Sequence, residues 1–250
     1  MKKELTIMRL DRYLSELGYG TRKEVKKLVA QGIVTVDGET ITDPGFRTAI
    51  SATVAVDGEI REYKPFEYIL LNKPSGYICS TKSGYDGESV LALLPDEYWG
   101  LSPVGRLDKD TTGLLLLTND GDLNHHLTSP KRGVEKTYYA VATIEPSETL
   151  TEAFGRGIVL DDGYVCAPAQ ISPLDENQVE FAALCRDNKL ETDAGFEHIV
   201  TVREGKHHQI KRMFAAMGGQ VLYLKRVRFG CYDLPEDLAE SDFIEVDARY

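Results

Sequence analysis

The sequence predicts an α+β protein made of two regions: a small N-terminal module and a larger domain with a mixed, mostly antiparallel sheet. Three observations predict this class. Two helical patterns and a hairpin pattern come first, strand-like segments dominate after them, and the later helices do not alternate regularly with the strands. The regions separate near residues 57–64, so we expect domains at 1–60 and 61–250. A chain of 250 residues can build two such cores.

The N-terminal module begins with two amphipathic helices. Residues 10–17 place four apolar side chains on one helical face, and Gly18 is suited to end that helix. Thr21 and Glu24 form a capping-box pattern that opens a second helix. One side of this helix carries a basic stripe, which consists of Arg22, Lys23, Lys26 and Lys27. Residues 33–41 follow as a hairpin pattern around an Asp-Gly turn.

The larger domain is dominated by strand-like segments. They lie at 68–71, 114–118, 136–143, 179–184, 198–202 and 220–224. Four consecutive leucines at 114–117, between Gly113 and a turn at 119–121, predict a strand that is buried on both faces. Two helices accompany the strands, one capped by Ser147 and one over residues 208–217.

The net charge of −11 argues against a nucleic-acid partner, whereas the distribution of charge argues for one. Residues 1–36 contain eight Lys or Arg and four Asp or Glu, which gives 8 − 4 = +4. Residues 200–230 contain seven Lys or Arg and one Glu, which gives 7 − 1 = +6. Two basic regions on an acidic body predict a face that binds a polyanion. The alternative is that these clusters arise by chance.

Several function classes are disfavoured by composition. No apolar run approaches the ~20 residues of a membrane span. The first residues are charged and lack the apolar stretch of a secretion signal. The four cysteines form no C-x-x-C pair, so we expect reduced thiols in a cytoplasmic protein. The histidines at 125–126 and 207–208 are adjacent rather than spaced i, i+4, so we expect no metal site.

The segment at 104–118 carries the strongest chemical signal. Asp108 lies between Arg106 and a small polar turn, directly before the leucine run. A carboxylate beside a fixed cation stays ionised, and it can act as a base, a nucleophile or a stabiliser of positive charge. The alternative is an Asx-type turn that precedes a strand.

Three further segments belong with this one. The chain has Asn-Lys-Pro-Ser-Gly at 72–76, Gly-Arg-Leu-Asp-Lys-Asp-Thr-Thr-Gly-Leu at 105–114, Glu-Lys-Thr-Tyr at 135–138 and Glu-Gly-Lys-His-His-Gln-Ile-Lys-Arg-Met-Phe at 204–214. In this order, behind a module that resembles the S4 RNA-binding domain, they resemble the RsuA family of pseudouridine synthases over nearly the whole chain. Gly-Arg-Leu-Asp marks the RsuA/RluB/RluE/RluF branch of the wider superfamily.

The resemblance implies that the protein isomerises uridine to pseudouridine without a cofactor or metal. The stretches at 127–130 and 213–218 look most like the RsuA subgroup, whose target is uridine 516 of 16S small-subunit ribosomal RNA. The implied partner is therefore ribosomal RNA, either naked or within an assembling particle. We expect a monomer in the cytoplasm, with no membrane partner.

The family also implies roles for three catalytic residues. Asp108 is the catalytic aspartate, which attacks C1′, attacks the ring or assists removal of the C2′ proton. Tyr138 offers an aromatic face to the flipped uracil, although an arbitrary strand tyrosine is simply half-buried. Lys211 matches the basic residue that pairs with the aspartate, although an arbitrary helix lysine is simply solvated.

Further residues are implied to hold the RNA. Arg106 contacts the RNA backbone or fills the space that the flipped base leaves, and Ile210 packs against the uracil edge. Lys73 is expected to bind phosphate rather than react. Arg212 is expected to act mainly on RNA affinity, together with the basic stripe of the second helix.

Two other functions compete with this interpretation. Residues 108–112 match the Asp-x-Asp-x-Thr signature of haloacid-dehalogenase phosphatases, but the preceding segment at 102–106 is not a hydrophobic strand and no magnesium site can be assigned downstream. The second alternative is a non-catalytic RNA-binding or ribosome-assembly protein. The presence of Asp108, Tyr138 and Lys211 together argues against it.

Overall fold

The computed structural model describes residues 7–60, 63, 66–98, 100–175, 181, 184–186 and 195–249. The chain divides into two compact units. The first contains Met1–Glu67 and Leu94–Leu101, and the second contains Tyr68–Leu93 and Ser102–Tyr250. The α+β class with mostly antiparallel sheets is confirmed.

The described residues of the first unit contain two α-helices and six short strands. The helices are α1 (Leu10–Glu16) and α2 (Arg22–Ala30). The strands are β1 (Ile7–Arg9), β2 (Val34–Val36), β3 (Glu39–Thr40), β4 (Arg47–Ala49), β5 (Val54–Val56) and β6 (Glu59–Ile60). Strands β1 and β4 pair with each other, and the other four form an antiparallel sheet in the order β3-β2-β5-β6. The buried faces of both helices and of β2 and β5 supply one hydrophobic core.

The local patterns of this unit fold as the sequence predicts. The Thr21 hydroxyl accepts from the backbone N–H of Glu24, and the Glu24 carboxylate accepts from the backbone N–H of Thr21, so the capping box is complete. Asp37 and Gly38 both have positive φ, at 50° and 85°, as a tight turn between β2 and β3 requires.

The sequence analysis missed a second hairpin. Asp57 and Gly58 have φ values of 52° and 82° and connect β5 to β6, with the same geometry as the first Asp-Gly turn. Residues 57–60 belong to the sheet of the first unit because β6 pairs with β5, which pairs with β2. The predicted boundary at residue 60 follows this hairpin, whereas the first compact unit extends to Glu67 and also contains Leu94–Leu101.

The second unit is built on a nine-stranded sheet. Seven strands follow the order β13-β14-β12-β15-β11-β7-β17, while β10 pairs with β11 and β16 pairs with β15. The bounds are β7 (Tyr68–Lys73), β10 (Ser102–Pro103), β11 (Thr112–Thr118), β12 (Lys136–Ala142), β13 (Gln170–Pro173), β14 (Phe196–Val202), β15 (Val221–Phe229), β16 (Tyr232–Asp233) and β17 (Phe243–Glu245). Within this sheet only the contact between β11 and β15 is parallel among the described strands. A separate parallel pair joins β8 (Tyr77–Ile78) to β9 (Glu88–Ser89).

Three helices of the second unit are described: α3 (Gly121–Thr128), α4 (Glu148–Arg156) and α5 (Gln209–Ala216). Helices α4 and α5 confirm the two predicted helices, and Ser147 caps α4 by accepting from the backbone N–H of Leu150. Helix α3 was missed because residues 119–121 were interpreted only as a turn. Asp120 caps it, with its carboxylate accepting from two backbone N–H groups of the first turn. The predicted strand at 179–184 lies largely outside the described residues.

The leucine run forms a fully buried strand of the sheet, as predicted. All seven residues of β11 are buried, between β7 and β15. Gly113 has φ 93°, and a Cβ added there would lie 2.3 Å from the carbonyl oxygen of Arg226. Glycine therefore allows the start of β11 to pass close to β15. The turn that carries Asp108 lies immediately before this fixed strand.

The structure also bears on the cysteines and on the length of the apolar helices. All four cysteines are free thiols. Within the described ranges, no helix is both long and apolar enough to cross a membrane.

Candidate active site

An open cleft lies in the second unit and measures about 440 Å³ together with the solvent at its mouth. Three of the four motif segments reach it, the exception being 72–76. Its walls include Arg106, Leu107, Asp108, Thr111, Tyr138, Glu204, His208 and Ile210. Residues about 100 positions apart therefore meet in one place, because β11, β12 and the loop before α5 converge there.

A buried lysine, Lys73, binds the backbone of the turn that carries Asp108. The Lys73 Nζ donates to the backbone carbonyls of Asp108 at 3.3 Å, Lys109 at 3.2 Å and Thr111 at 2.8 Å. The backbone N–H of Gly76 adds a bond to the Lys109 carbonyl at 2.8 Å. The Asn-Lys-Pro-x-Gly segment thus fixes the backbone on which Asp108 sits.

This geometry overturns the expectation that Lys73 binds phosphate. Its side chain is fully buried, and its amino group already contacts four carbonyl oxygens, the fourth being that of Pro74. Burial lowers the pKa of Lys73 to about 8 because desolvation penalises the ammonium. A group without access to solvent cannot reach an RNA phosphate, so the prediction is wrong.

The Asp108 carboxylate faces two basic side chains of the loop and helix that follow β14. Its Oδ2 lies 3.4 Å from the Lys211 Nζ, and its Oδ1 lies 3.6 Å from the His208 Nε2. The Asp108 side chain is 24% exposed, so it is available to a ligand in the cleft. The structure thus places Asp108 and Lys211 together, and their catalytic roles stay predictions.

Lys211 is shared between two carboxylates. Its Nζ donates to Asp110 Oδ1 at 2.5 Å, which is closer than its contact with Asp108. The pKa of Asp110 lies below its ordinary value: partial burial acts to raise it, but the hydrogen bond and charge of Lys211 outweigh that effect. Asp110 therefore anchors Lys211 beside the Asp108 turn, a role that the sequence analysis did not assign.

The cleft also contains the aromatic and aliphatic side chains that the sequence singles out. Tyr138 lies on β12 with 8% of its surface exposed, and Ile210 lies on α5 and is buried except towards the cleft. Arg106 is exposed at the rim and forms no ion pair with a described residue. Their contacts with RNA stay predictions.

The loop before α5 is shaped by a polar framework that the sequence analysis missed. The Glu204 carboxylate accepts from Gln209 Nε2 at 2.9 Å, from the Ala167 backbone N–H at 3.0 Å and from the Tyr164 hydroxyl at 2.6 Å. Gln209 Oε1 in turn accepts from the Lys206 backbone N–H at 3.0 Å. These bonds fix both ends of the loop around His207 and His208. The signal was the Glu and Gln within the 204–214 motif.

Arg212 does not have the free charge that its predicted role requires. Its guanidinium contacts Asp161 and lies 2.7 Å from Asp162, and its side chain is 23% exposed. Two carboxylates already balance its charge. We therefore revise the expectation: Arg212 holds the acidic turn at 161–162 against α5.

The second basic region of the sequence is not an exposed basic face. Arg226 is buried, donating to the Leu114 carbonyl, and Lys225 is nearly buried. Arg203 pairs with Glu135 and Arg228 with Asp233. Of the seven cations at 200–230, two are thus buried and four are paired with carboxylates, whereas Lys206 is exposed. Binding of a polyanion by this region stays a prediction.

The basic stripe of α2 has the opposite character. All four of its cations are exposed, and none forms an ion pair with a described residue. The buried side of the same helix is formed by Val25 and Val29, so the stripe faces away from the core of its unit.

The two histidines of the loop before α5 do not form a metal site with their neighbours. The rings of His207 and His208 stack at 3.8 Å, in an arrangement that does not converge on one point. Over the part of the chain that is described, no group of three or more His, Cys, Asp or Glu side chains is placed to hold a metal ion.

The fold and the site define a class of enzyme. The family model of the RNA pseudouridylate synthases matches residues 67–216, and that of the S4 domain matches residues 8–50. The chain therefore belongs to the RNA pseudouridylate synthase family and carries an S4 domain.

Individual relatives agree with this assignment. The chain is 38% identical over 242 residues to the uncharacterized RNA pseudouridine synthase YtzG of Bacillus subtilis (strain 168), covering 96% of this chain and 95% of that protein. It is 35% identical over 240 residues to the ribosomal small subunit pseudouridine synthase A of Escherichia coli (strain K12), covering 94% and 95%. A crystal structure of a pseudouridylate synthase matches with a TM-score of 0.61 and 31% identity, covering 96% of each chain.

Proposed function

We propose that this enzyme isomerises one uridine of small-subunit ribosomal RNA, namely uridine 516 of the 16S RNA. The observation that carries the proposal is the placement of Asp108, on a clamped turn, between Lys211 and a cleft that also contains Tyr138. The choice of substrate is supported by the relative from Escherichia coli, which is named for the small ribosomal subunit. The proposed location is the cytoplasm, and the proposed working form is a monomer.

The proposed reaction conserves every atom of the nucleotide. The N1–C1′ bond breaks and a C5–C1′ bond forms, while C5 loses a proton and N1 gains one. No electron acceptor is required. The uracil must first leave the base stack, which costs roughly a few kcal/mol. In the proposal, the face of Tyr138 and the side chain of Ile210 receive the flipped base.

Asp108 is the proposed catalytic residue, and three chemical roles are open to it. It attacks C1′, attacks the uracil ring or assists removal of the C2′ proton. Each role needs an ionised carboxylate with a lone pair that is aimed into the cleft. Lys211 supports all three, because a cation beside a carboxylate favours the ionised form and restricts its orientation.

The proposed RNA contacts come from both units. Arg106 at the rim holds the RNA backbone or fills the space left by the flipped base. In the first unit, the stripe of α2 offers four exposed cations to phosphates, and such contacts supply affinity rather than sequence selectivity.

The decisive experiment uses a strain in which the gene is deleted. Its ribosomal RNA is treated to reveal pseudouridine and then sequenced. We expect one small-subunit site, uridine 516, to be lost and then restored by the wild-type gene but not by Asp108→Asn. Loss of a large-subunit site instead would reassign the substrate. A strain that keeps every site would contradict the proposal.

A further inference from the structure

His208 lies opposite Lys211 across the Asp108 carboxylate. The His208 Nε2 is 3.6 Å from Asp108 Oδ1, whereas the Lys211 Nζ approaches the other oxygen, Oδ2, at 3.4 Å. The imidazole also lines the cleft and is 44% exposed. The two carboxylate oxygens of Asp108 therefore face two different basic groups.

The backbone at His208 is held in an unusual conformation. Its φ and ψ are 50° and 31°, in the left-handed region, at the residue that precedes α5. The described non-glycine residues with positive φ also include Asp37 and Asp57, which occupy tight hairpin turns where this conformation is expected. This conformation is uncommon for a residue other than glycine, and it persists where the surrounding structure enforces it, often at functional sites.

The surroundings of the loop enforce this conformation. The bonds of Glu204 to Gln209, and of Gln209 to the Lys206 backbone, close the loop around residues 206–209. The ring of His207 stacks on that of His208 with 19° between their planes. The orientation of the His208 ring towards Asp108 is thus fixed by its neighbours.

We infer that His208 is a positioning residue, which restricts the Asp108 carboxylate from the side opposite Lys211. The inference rests on the proposed catalytic role of Asp108. With contacts at one oxygen only, a carboxylate can rotate about its χ2 angle. Contacts at both oxygens define its plane, and with it the direction of the lone pairs that enter the cleft. Small errors in such an orientation cost up to about a hundredfold in rate.

The test compares three variants of the full-length enzyme. His208→Asn keeps a residue that tolerates the left-handed conformation but does not reach Asp108, because its amide nitrogen corresponds to Nδ1. His208→Gln places an amide nitrogen near the position of Nε2 without a titrating group. The matched control is His207→Phe, which keeps a flat ring to stack and removes the neighbouring imidazole, and which lies outside the cleft lining.

The substrate is a small-subunit ribosomal RNA transcript, and kcat, KM and melting temperature are measured at one fixed pH. We expect His208→Asn to lower kcat by roughly ten- to a hundredfold with KM nearly unchanged. His208→Gln should recover part of kcat, and His207→Phe should equal wild type.

Every other result overturns the inference. An unchanged kcat in His208→Asn shows that Lys211 alone holds the carboxylate. An equal loss in His207→Phe, or no recovery of kcat in His208→Gln, assigns the effect to the loop backbone. A rise in KM alone shows that His208 touches RNA instead. If Asp108→Asn remains active in the same assay, the proposed function of Asp108 fails separately.

Discussion

Two basic regions of the sequence have similar net charge, but their side chains differ in exposure and in ion pairing. The cations of the α2 stripe are exposed and free of ion pairs with described residues. Of those at 200–230, Arg226 is buried, and Arg203, Arg212 and Arg228 are each matched by a carboxylate, whereas Lys206 is exposed. A local excess of positive charge therefore has two meanings, which are distinguished only by what the rest of the chain places beside it.

The exposed cations and the paired cations are expected to have different roles. Free cations attract phosphates and set affinity, with a strong dependence on salt. Paired cations inside a fold hold loops and carboxylates in place, and Lys211 does this beside Asp108. Changes at the paired cations of the second unit should therefore act on kcat or stability, and changes in the α2 stripe should act on RNA affinity.

The largest effect is expected at the carboxylate itself. Asp108→Asn keeps the shape of the side chain but removes its charge and nucleophilicity, so turnover should fall by about three orders of magnitude or more. RNA affinity should stay near that of wild type. Single-turnover formation of pseudouridine and filter binding measure the two quantities. Turnover within about tenfold of wild type would remove Asp108 from the mechanism.

The next effect is expected at Lys211. Lys211→Met keeps the aliphatic part of the side chain and leaves Asp108 and Asp110 without their shared cation. We expect kcat to fall by about a hundredfold or more, as for the loss of one preorganised charge-stabilising group. Lys211→Arg should retain part of the activity. Equal activity of the Met and Arg variants would show that the charge at this position is not used.

The stripe of α2 should affect binding alone. The variant changes all four cations of the stripe to Gln at once, namely Arg22, Lys23, Lys26 and Lys27. Because all four side chains are exposed, the fold should be preserved. The log–log dependence of affinity on salt should become shallower by roughly 0.7 to 0.9 for each phosphate that the variant no longer neutralises. At saturating RNA, kcat should not change. An unchanged slope would show that this helix serves another partner.

Lys73 should matter through the backbone of the Asp108 turn. Lys73→Met leaves buried carbonyls without their donor, which costs about 1–3 kcal/mol of stability per unsatisfied group. The pKa of about 8 for Lys73 lies below that of an unfolded lysine, so the unfolded chain binds more protons between about pH 8 and 10.4. The folded state therefore becomes more stable relative to the unfolded state as the pH rises through this window.

Urea denaturation at pH 7.5 and 9.5 tests this pH effect. The stability of wild type relative to Lys73→Met should be greater at the higher pH. The pKa of Lys136, which burial also lowers to about 8, affects both proteins and cancels in the difference. A difference that decreases with pH would contradict the assignment of a buried, charged Lys73.

The smallest effect is expected from the paired cations. Replacing Arg203, Arg212 and Arg228 with Gln removes three charges that carboxylates already balance. Each replacement should change the salt dependence of RNA binding less than a replacement in the α2 stripe does. A larger change per residue would show that RNA displaces the carboxylates, and would reverse the comparison between the two regions.

The sequence by itself determined the features that depend on neighbouring residues. The capping box at Thr21, the Asp-Gly hairpin turn, the buried leucine strand and the two helices at 148–156 and 209–216 all follow from local patterns. The four ordered motifs also indicated the family. Each of these signals is short-range, because hydrogen bonds of caps and turns and the periodicity of strands involve residues close in sequence.

The tertiary structure alone decided what each cation does. Lys73 contacts a turn 35 residues away, and Lys211 lies 101 residues from Asp110 along the chain. His208 faces Asp108, and Arg212 faces Asp161, only because of how the sheet folds. Burial and pairing set the free energy of a charge, and both depend on atoms that distant segments contribute. The sequence shows where the charges are, and the fold determines whether each is solvated, paired or buried.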